Sequence, residues 1–256
     1  IGALVDPLGA GPLWRWDRGA SVRVLMRGGT VASIDDDEAL AGENAFAIRK
    51  PGGSWEILVA GEAELVDART WRLSKLLRGL GGSENAAAVA APVGATIVRL
   101  DPAVAPLVDS LDRIGQSDTW RIGPSRLDHA DARFVEVSSS ATAIALRPFS
   151  PVHAKARRTV DGVVFSWIRR TRIDGDAWDV AEVPLGEDME RYELDILSAG
   201  GATARTLTAS APSILYPAAD EIADFGAPQS VIDIALAQMS VVAGRGFARR
   251  VTLAVR

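Results

Sequence analysis

The C-terminal part of the chain alternates apolar and polar positions with the two-residue period of β-strands. Val163, Phe165 and Trp167 share one face of the clearest such segment, and an Asp-Gly pair before it predicts a tight hairpin turn. The same alternation recurs in residues 192–197, 231–239 and 247–255. Residues 153–158 would form the strand before the Asp-Gly turn, and the Thr-rich residues 203–208 suit a short edge strand. About seven short strands separated by turn residues predict an Ig-like β-sandwich with Trp167 in its core.

One of these segments has a competing interpretation. Residues 231–239 contain good helix formers, which would also allow a helix there. A strand is favoured because Gly-rich turns flank the segment and another alternating segment follows it. No element is assigned to the Pro-marked stretch 212–228.

The first 146 residues contain short apolar runs separated by Gly and Pro, which predict a mostly β region. The runs are residues 22–26, 55–59, 71–77, 97–100, 134–137 and 143–146. Short helical pieces are predicted at 86–91 and 102–111, and a break near residues 90–100 would create two subdomains. Residues 147–151, Arg-Pro-Phe-Ser-Pro, are typical of a linker because prolines favour extended backbone. The chain is therefore predicted to be mainly β, with domains at 1–146 and 147–256.

Composition narrows the possible functions. The 256 residues are 48% hydrophobic and 24% charged, as in folded soluble proteins. The net charge of −5 gives no general positive field for nucleic acid or an anionic membrane. The absence of cysteine excludes disulfides, thiol catalysis and thiolate metal centres. Charged residues interrupt every apolar run, so no membrane insertion is predicted, and the first residue, Ile1, indicates a piece of a longer protein.

No catalytic, metal or cofactor site is predicted. The acidic run 35–38 lacks the spacing of a calcium loop and is interpreted as a solvated turn, and residues 174–176 are interpreted as a hairpin turn. The glycines within 79–82 do not form a phosphate-binding motif. His129 lies in a polar segment and His153 on a predicted strand, and neither follows a nucleophile elbow. Spacing alone does not reveal a carboxylate pair for sugar cleavage, so a peptidoglycan hydrolase stays an alternative.

Four residues are candidates for contact with a glycan or a partner protein. Trp14 and Trp16 occupy alternate positions, so both rings would point to one side of a strand and offer a sugar-binding platform. Burial in a core or an interface is the alternative for both. Arg169 and Arg170 follow Trp167 and could bind phosphate or an acidic partner, with subunit contacts or solvent exposure as the alternatives.

Two longer segments resemble proteins of one family. Residues 55–86, WEILVAGEAELVDARTWRLSKLLRGLGGSENA, resemble a stretch of phage tail hub proteins in which a Trp-Glu strand precedes LSxLLRGxxG(T/S). Residues 165–197, FSWIRRTRIDGDAWDVAEVPLGEDMERYELDIL, resemble the fibronectin type III-like module that follows. Together they resemble the C-terminal part of the large tail protein of alphaproteobacterial gene transfer agents, related to lambda-like tail-tip proteins. Ser83 stands where the motif often has Thr, and both residues supply a hydroxyl.

The resemblance implies a trimeric hub at the distal end of the tail, which contacts other tail proteins and lets DNA pass without specific binding. It implies a β-rich hub domain followed by a fibronectin type III-like sandwich, and it supplies no catalytic residues or cofactors. We therefore predict a structural component of a tail tip or baseplate hub, assembled in the bacterial cytoplasm and active in the released particle. A carbohydrate-binding module for capsule or cell-wall glycan is the alternative.

Overall fold

The computed structural model describes residues 1–104, 110–140, 142–175 and 182–256. The chain divides into two compact units, Ile1–Asp109 and Ser110–Arg256. The division falls before the predicted boundary at residue 146 because a two-stranded hairpin, residues 117–140, groups with the second unit.

In the described part of the first unit, six strands form a closed barrel in the order β1-β2-β5-β4-β3-β6. The strands are β1 (Gly2–Leu4), β2 (Trp16–Met26), β3 (Ala45–Arg49), β4 (Trp55–Asp67), β5 (Thr70–Leu80) and β6 (Thr96–Arg99). Two short helices, α1 (Asp36–Leu40) and α2 (Glu84–Ala87), connect strands of the barrel. Every neighbouring pair of strands is antiparallel.

Alternating apolar side chains fill the barrel. Val22, Val24 and Met26 on β2 are buried, whereas the residues between them are exposed. Phe46 of β3 and Ile97 of β6 join them in one continuous core. Even an eight-stranded barrel is only wide enough for its own side chains, so this narrower barrel is a packed core without a channel.

The acidic run at residues 35–38 is exposed, as predicted, but it begins a helix instead of forming a turn. Asp35 caps the N-terminus of α1, where its Oδ1 accepts a hydrogen bond from the Glu38 amide at 2.8 Å. The Glu38 carboxylate accepts in return from the Asp35 amide at 3.1 Å. This reciprocal capping box fixes the helix start, and the Asp-x-x-Glu spacing was its signal in the sequence.

The second unit begins with the two-stranded hairpin and continues into a sandwich. The hairpin strands are β7 (Ser117–Ile122) and β8 (Val135–Ser140). The remaining elements are β9 (Val152–Thr159), β10 (Gly162–Ile168), β11 (Tyr192–Leu197), β12 (Thr203–Ala209), β13 (Ser213–Pro217), α3 (Ala218–Phe225), β14 (Val231–Ser240), β15 (Gly244–Arg245) and β16 (Arg249–Ala254).

Strands β13-β10-β9 form one layer of the sandwich, and β12-β11-β14 with β16 and β15 on β14 form the other. Their facing apolar residues make a single core, in which Trp167 is 5% exposed and contacts Tyr192 edge to face, with ring centroids 5.1 Å apart. This arrangement is an Ig-like sandwich and confirms the predicted mainly β fold and its fibronectin type III-like module. Residues 231–239 are a strand, as favoured, because both neighbours β11 and β16 pair with them.

Other local predictions were less accurate. The Pro-marked stretch contains β13 and α3, which Gly226 ends in a left-handed conformation. The apolar run 143–146 contains a 3₁₀ turn, Ile144–Leu146, instead of a strand. Of the predicted helical piece at 102–111, residues 105–109 lie outside the described residues, as does Asp176 of the predicted turn at 174–176. No helix in the described ranges has the length and apolar character needed to cross a membrane.

Candidate functional site

A buried cluster of charged side chains lies at the centre of the first unit. Glu56 follows Trp55 at the start of β4, and its carboxylate contacts two cations. Lys50 Nζ lies 2.7 Å from Glu56 Oε2, and Arg78 Nη2 donates to the same oxygen at 2.9 Å. Arg78 Nε donates to Oε1 of the same carboxylate. All three side chains are 0% exposed, so this is a fully buried ion triad.

Arg78 also joins the triad to the backbone of a distant segment. Its Nη2 donates to the carbonyl oxygen of Gly9 at 3.1 Å, and its Nη1 lies 3.9 Å from Asp17 Oδ2. Lys50 Nζ donates to the carbonyl oxygen of Val89 at 2.8 Å. Two cations therefore face two carboxylates, which balances the buried charge.

Ser83, at the Ser/Thr position of the LSxLLRGxxG(T/S) motif, is buried near the triad. Ser83 is 6% exposed, and its hydroxyl donates to the carbonyl oxygen of Leu80 at 2.7 Å. The Ser83 hydroxyl oxygen in turn accepts a hydrogen bond from the Ile57 amide at 2.8 Å. The Trp-Glu strand and the LLRG strand thus meet through Glu56 and Arg78, and the GS turn bonds the backbone of the residues next to them. Lys50 was not predicted as part of a site: the cross-strand neighbour of Glu56 is Ile48, and Lys50 reaches the carboxylate from the end of the hairpin.

Trp14 and Trp16 do not share a strand, so that part of the prediction was wrong. Strand β2 begins at Trp16, and Trp14 precedes it with a left-handed backbone, φ 57°. The Lys75 ammonium lies 5.1 Å from the centroid of the Trp16 ring and covers one face of it. Trp14 retains 46% exposure, and glycan contact through it stays a prediction.

Arg169 and Arg170 hold backbone segments of the second unit in place. Arg169, whose side chain is 13% exposed, donates to the carbonyl oxygens of residues 183–184 at 2.6 and 2.8 Å. Arg170 Nε donates to the carbonyl oxygen of Ser150 at 2.8 Å, and its guanidinium lies 5.0 Å from the centre of the Phe149 ring. Partner contact through these two arginines stays a prediction, and their internal contacts favour a structural role.

Helix α3 is attached to the sandwich by a buried carboxylate. Glu221 is 0% exposed in its side chain and accepts from Arg158 Nη2 at 3.0 Å and from the Gln229 amide at 2.8 Å. Burial by itself raises the pKa of Glu221, but these hydrogen bonds outweigh it and leave the pKa below its usual value. The carboxylate is therefore ionised at neutral pH.

A tyrosine and an arginine share a second carboxylate of α3. Asp224 accepts from Arg205 Nε at 2.7 Å and from the Tyr216 hydroxyl at 2.7 Å. The Arg205 hydrogen bond lowers the pKa of Asp224. Burial, and then the Asp224 hydrogen bond, raise the pKa of Tyr216 far above its usual value, so the phenol stays protonated.

The β7–β8 hairpin is the most exposed sheet of the second unit and is here called the hairpin arm, residues 117–140. Every residue of β8 is exposed. In the connection between its strands, the ring of Phe134 packs edge to face on His129 at 5.6 Å and lies against Gly123. The other histidine, His153, lies exposed on β9. In the described ranges, no group of three or more His, Asp or Glu side chains is arranged to hold a metal ion.

Residues 1–98 match the family model described as Rcc01698-like, C-terminal. This match covers the barrel, including the buried ion triad. No curated protein matches the sequence.

Two solved structures are similar at low sequence identity. Rat CD45 extracellular region, domains d3–d4, is 12% identical, with 62% of this chain and 74% of that chain covered and a TM-score of 0.30. Chicken CNTN1 FN1–FN3 domains are 13% identical, with 99% of this chain and 68% of that chain covered and a TM-score of 0.28. Scores of this size do not establish a common arrangement of domains.

Proposed function

We propose that this chain is a structural component of a phage-like tail tip or baseplate hub of the gene transfer agent type. The observation that carries the proposal is the burial of the motif residues. Glu56, Arg78 and Ser83, polar residues within the segment that carries the resemblance, are all buried; Glu56 pairs with Arg78, and Ser83 bonds the backbone of Ile57 and Leu80. Residues that recur for catalysis or ligand binding need access to a substrate, whereas these residues fix the relative positions of strands and turns.

The barrel supports a geometric role. A buried ion cluster is strongly destabilised when one of its members is lost, so we infer that the triad favours one strand register. A rigid module of this kind suits an assembly in which subunit surfaces must meet in closed symmetry. We propose that a homotrimer of the full-length protein forms such a hub, in contact with other tail proteins.

The filled barrel also restricts where DNA would pass. Because side chains such as Phe46, Leu58 and Ile97 occupy its interior, a passage in the proposed hub would lie between subunits. The net charge of −5 suits such a passage, since each basic contact would retain DNA in a salt-dependent way. The hub would be assembled in the bacterial cytoplasm and act in the released particle.

Immunogold labelling of purified particles tests this function directly. Antibodies against this chain are expected to mark the distal end of the tail, and light scattering on the intact full-length protein is expected to give a trimer. Absence of label from the particles, or a strictly monomeric intact protein, would contradict the proposal. Clearing of a peptidoglycan zymogram by the purified chain would contradict a purely structural role.

The exposure of Trp14 favours glycan binding as a second candidate function. A glycan array and tryptophan fluorescence titration would detect it, with Trp14→Ala as the variant that should lose binding. Trp167→Phe is the matched control, because Trp167 is buried in the sandwich core. Glycan binding that persists in Trp14→Ala would show that Trp14 is not the binding platform.

A further inference from the structure

The outer surface of the barrel has a cavity over the short strand β1. Ala3 pairs with Leu25 on β2 and with Thr96 on β6, so these three side chains lie on the same side of the sheet. The small side chain of Ala3 and the bare backbone of Gly94 leave a hollow between larger neighbours. The hollow forms a cavity of about 650 Å³, a volume typical of sites for small organic molecules.

Two arginines supply the charged side chains of this cavity. Arg27 directly follows β2, and Arg69 lies in the turn between β4 and β5. The other side chains that line the cavity carry no charge, so no carboxylate balances the two guanidinium groups there. Within the described ranges, neither guanidinium forms a hydrogen bond or an ion pair. Asp67, the acid of the Arg69 turn, accepts a hydrogen bond from the Ala68 amide instead.

Neighbouring arginines on the same strands do have acidic partners. Arg23 on β2 pairs with Asp6 at 2.7 Å, and Arg72 on β5 pairs with Glu64 at 2.7 Å. Two cations that line one cavity without a counter-charge repel each other. A bound anion would remove that repulsion, so the charge of the cavity selects an anionic ligand.

The walls of the cavity indicate what else the ligand contains. A guanidinium group presents paired N–H donors that match two oxygens of a carboxylate or a phosphate. Leu25 and Ala3 supply an apolar wall beside these donors. An inorganic ion would leave most of a cavity of this volume unfilled. None of the residues that line the cavity is aromatic, so it offers no platform for stacking a nucleic-acid base.

We propose that this cavity binds a small organic anion. The carboxylate or phosphate group of the ligand pairs with Arg27 and Arg69, and its apolar part contacts Leu25 and Ala3. This binding site goes beyond the structural role proposed above and does not depend on it.

Isothermal titration calorimetry with four probes tests the site: hexyl phosphate, hexanoate, inorganic phosphate and hexanol. At least one of the two organic anions is expected to bind about tenfold or more tightly than inorganic phosphate, because it satisfies both the arginines and the apolar wall. The tighter of the two identifies the acid group. Binding of neither organic anion, or equal affinity for hexanol, would overturn the proposal. Equal affinity for inorganic phosphate would also overturn it, since the apolar wall would then contribute nothing.

Matched variants locate the binding. Arg69→Gln and Arg27→Gln are each expected to weaken it by about tenfold or more, because each removes charge-assisted hydrogen bonds. Arg49→Gln is the control, since Arg49 is exposed at the end of β3 and does not line the cavity. It should change the affinity by less than about twofold, because salt screens exposed charges at a distance. Equal losses in all three variants would indicate attraction by net charge alone and would overturn the site.

The titration is repeated with the full-length protein, where the same affinity is expected. Loss of binding there would overturn the proposal, since other residues would then fill the cavity. Circular dichroism verifies that the three variants keep the fold. Particle labelling without anion binding would remove this site and leave the tail role intact, and anion binding by a chain absent from particles would do the reverse.

Discussion

Arg78 Nη2 lies 2.9 Å from Glu56 Oε2 inside the barrel, where both side chains are completely shielded from water. The two residues are on adjacent strands, β4 and β5, and the same carboxylate also meets Lys50. This relationship joins the Trp-Glu strand of this chain to its LLRG strand. The arginine supplies a second cation, beside Lys50, to a carboxylate that the fold buries completely.

Removal of the arginine charge is expected to destabilise the barrel strongly. Arg78→Met leaves the Glu56 carboxylate with one partner fewer, and the free energy of unfolding of the first unit should fall by about 3–5 kcal/mol. Hydrogen exchange of amides in β4 and β5 measures this loss locally. Arg72→Met is the control, because Arg72 is 46% exposed in its ion pair with Glu64 and should cost at most about 1 kcal/mol.

A triple replacement shows whether charge burial is the cause. Lys50→Met, Glu56→Leu and Arg78→Met together remove every charge of the triad and keep most of its volume. This variant is expected to recover much of the stability lost in Arg78→Met, because no fully buried charge of the triad is left; Asp17, which loses its contact with Arg78, is 12% exposed. If the triple variant is as unstable as Arg78→Met, the lost stability results from altered packing and not from an unpaired buried charge.

The Ser83 hydroxyl is expected to stabilise the junction between β4 and the turn after β5. Ser83→Ala leaves the Ile57 amide without its acceptor, which should cost about 1–3 kcal/mol. Ser83→Thr keeps the hydroxyl and should retain most of the stability. Exchange protection of the Ile57 amide, measured by NMR, is the readout, and unchanged protection in Ser83→Ala would contradict the role of the hydroxyl.

Acid sensitivity of the sandwich is expected to depend on Glu221. Its pKa in the folded state lies below the usual value, so its stabilising effect is complete above pH 5 and is lost as the pH falls through the lowered pKa. Glu221→Gln should therefore lower stability by about 1–3 kcal/mol at pH 7 and by progressively less below about pH 4. Urea unfolding at a series of pH values tests this, and a difference that does not change with pH would contradict it.

Gly162 is expected to tolerate no side chain. It has a φ of 141°, and a Cβ atom would lie 2.1 Å from the Tyr216 carbonyl oxygen on the neighbouring strand β13. Gly162→Ala should cost about 2–4 kcal/mol or prevent sandwich folding. Gly200→Ala is the control, since no atom lies within 4 Å of the added carbon. Similar melting temperatures for the two variants would contradict the prediction.

Much of the sandwich could be predicted from local pattern. The alternation around Val163 and Tyr192 indicated strands with one buried face, and the Asp161–Gly162 pair marked the turn between β9 and β10. The short segment that contains β13 and α3 was missed, because five strand residues beside prolines carry too little periodic signal. The acidic run at 35–38 was misread because its capping spacing was not recognised.

The sequence by itself determined where chain segments alternate, where they turn, and which apolar residues enter a core, because these properties depend on neighbours a few positions apart. The tertiary structure alone decided that Glu56 meets Lys50 and Arg78, that six strands close into a filled barrel, and that strand β8 of the hairpin arm is left exposed. Pairing across strands and exposure to water depend on the register and packing of distant segments, which no local spacing specifies.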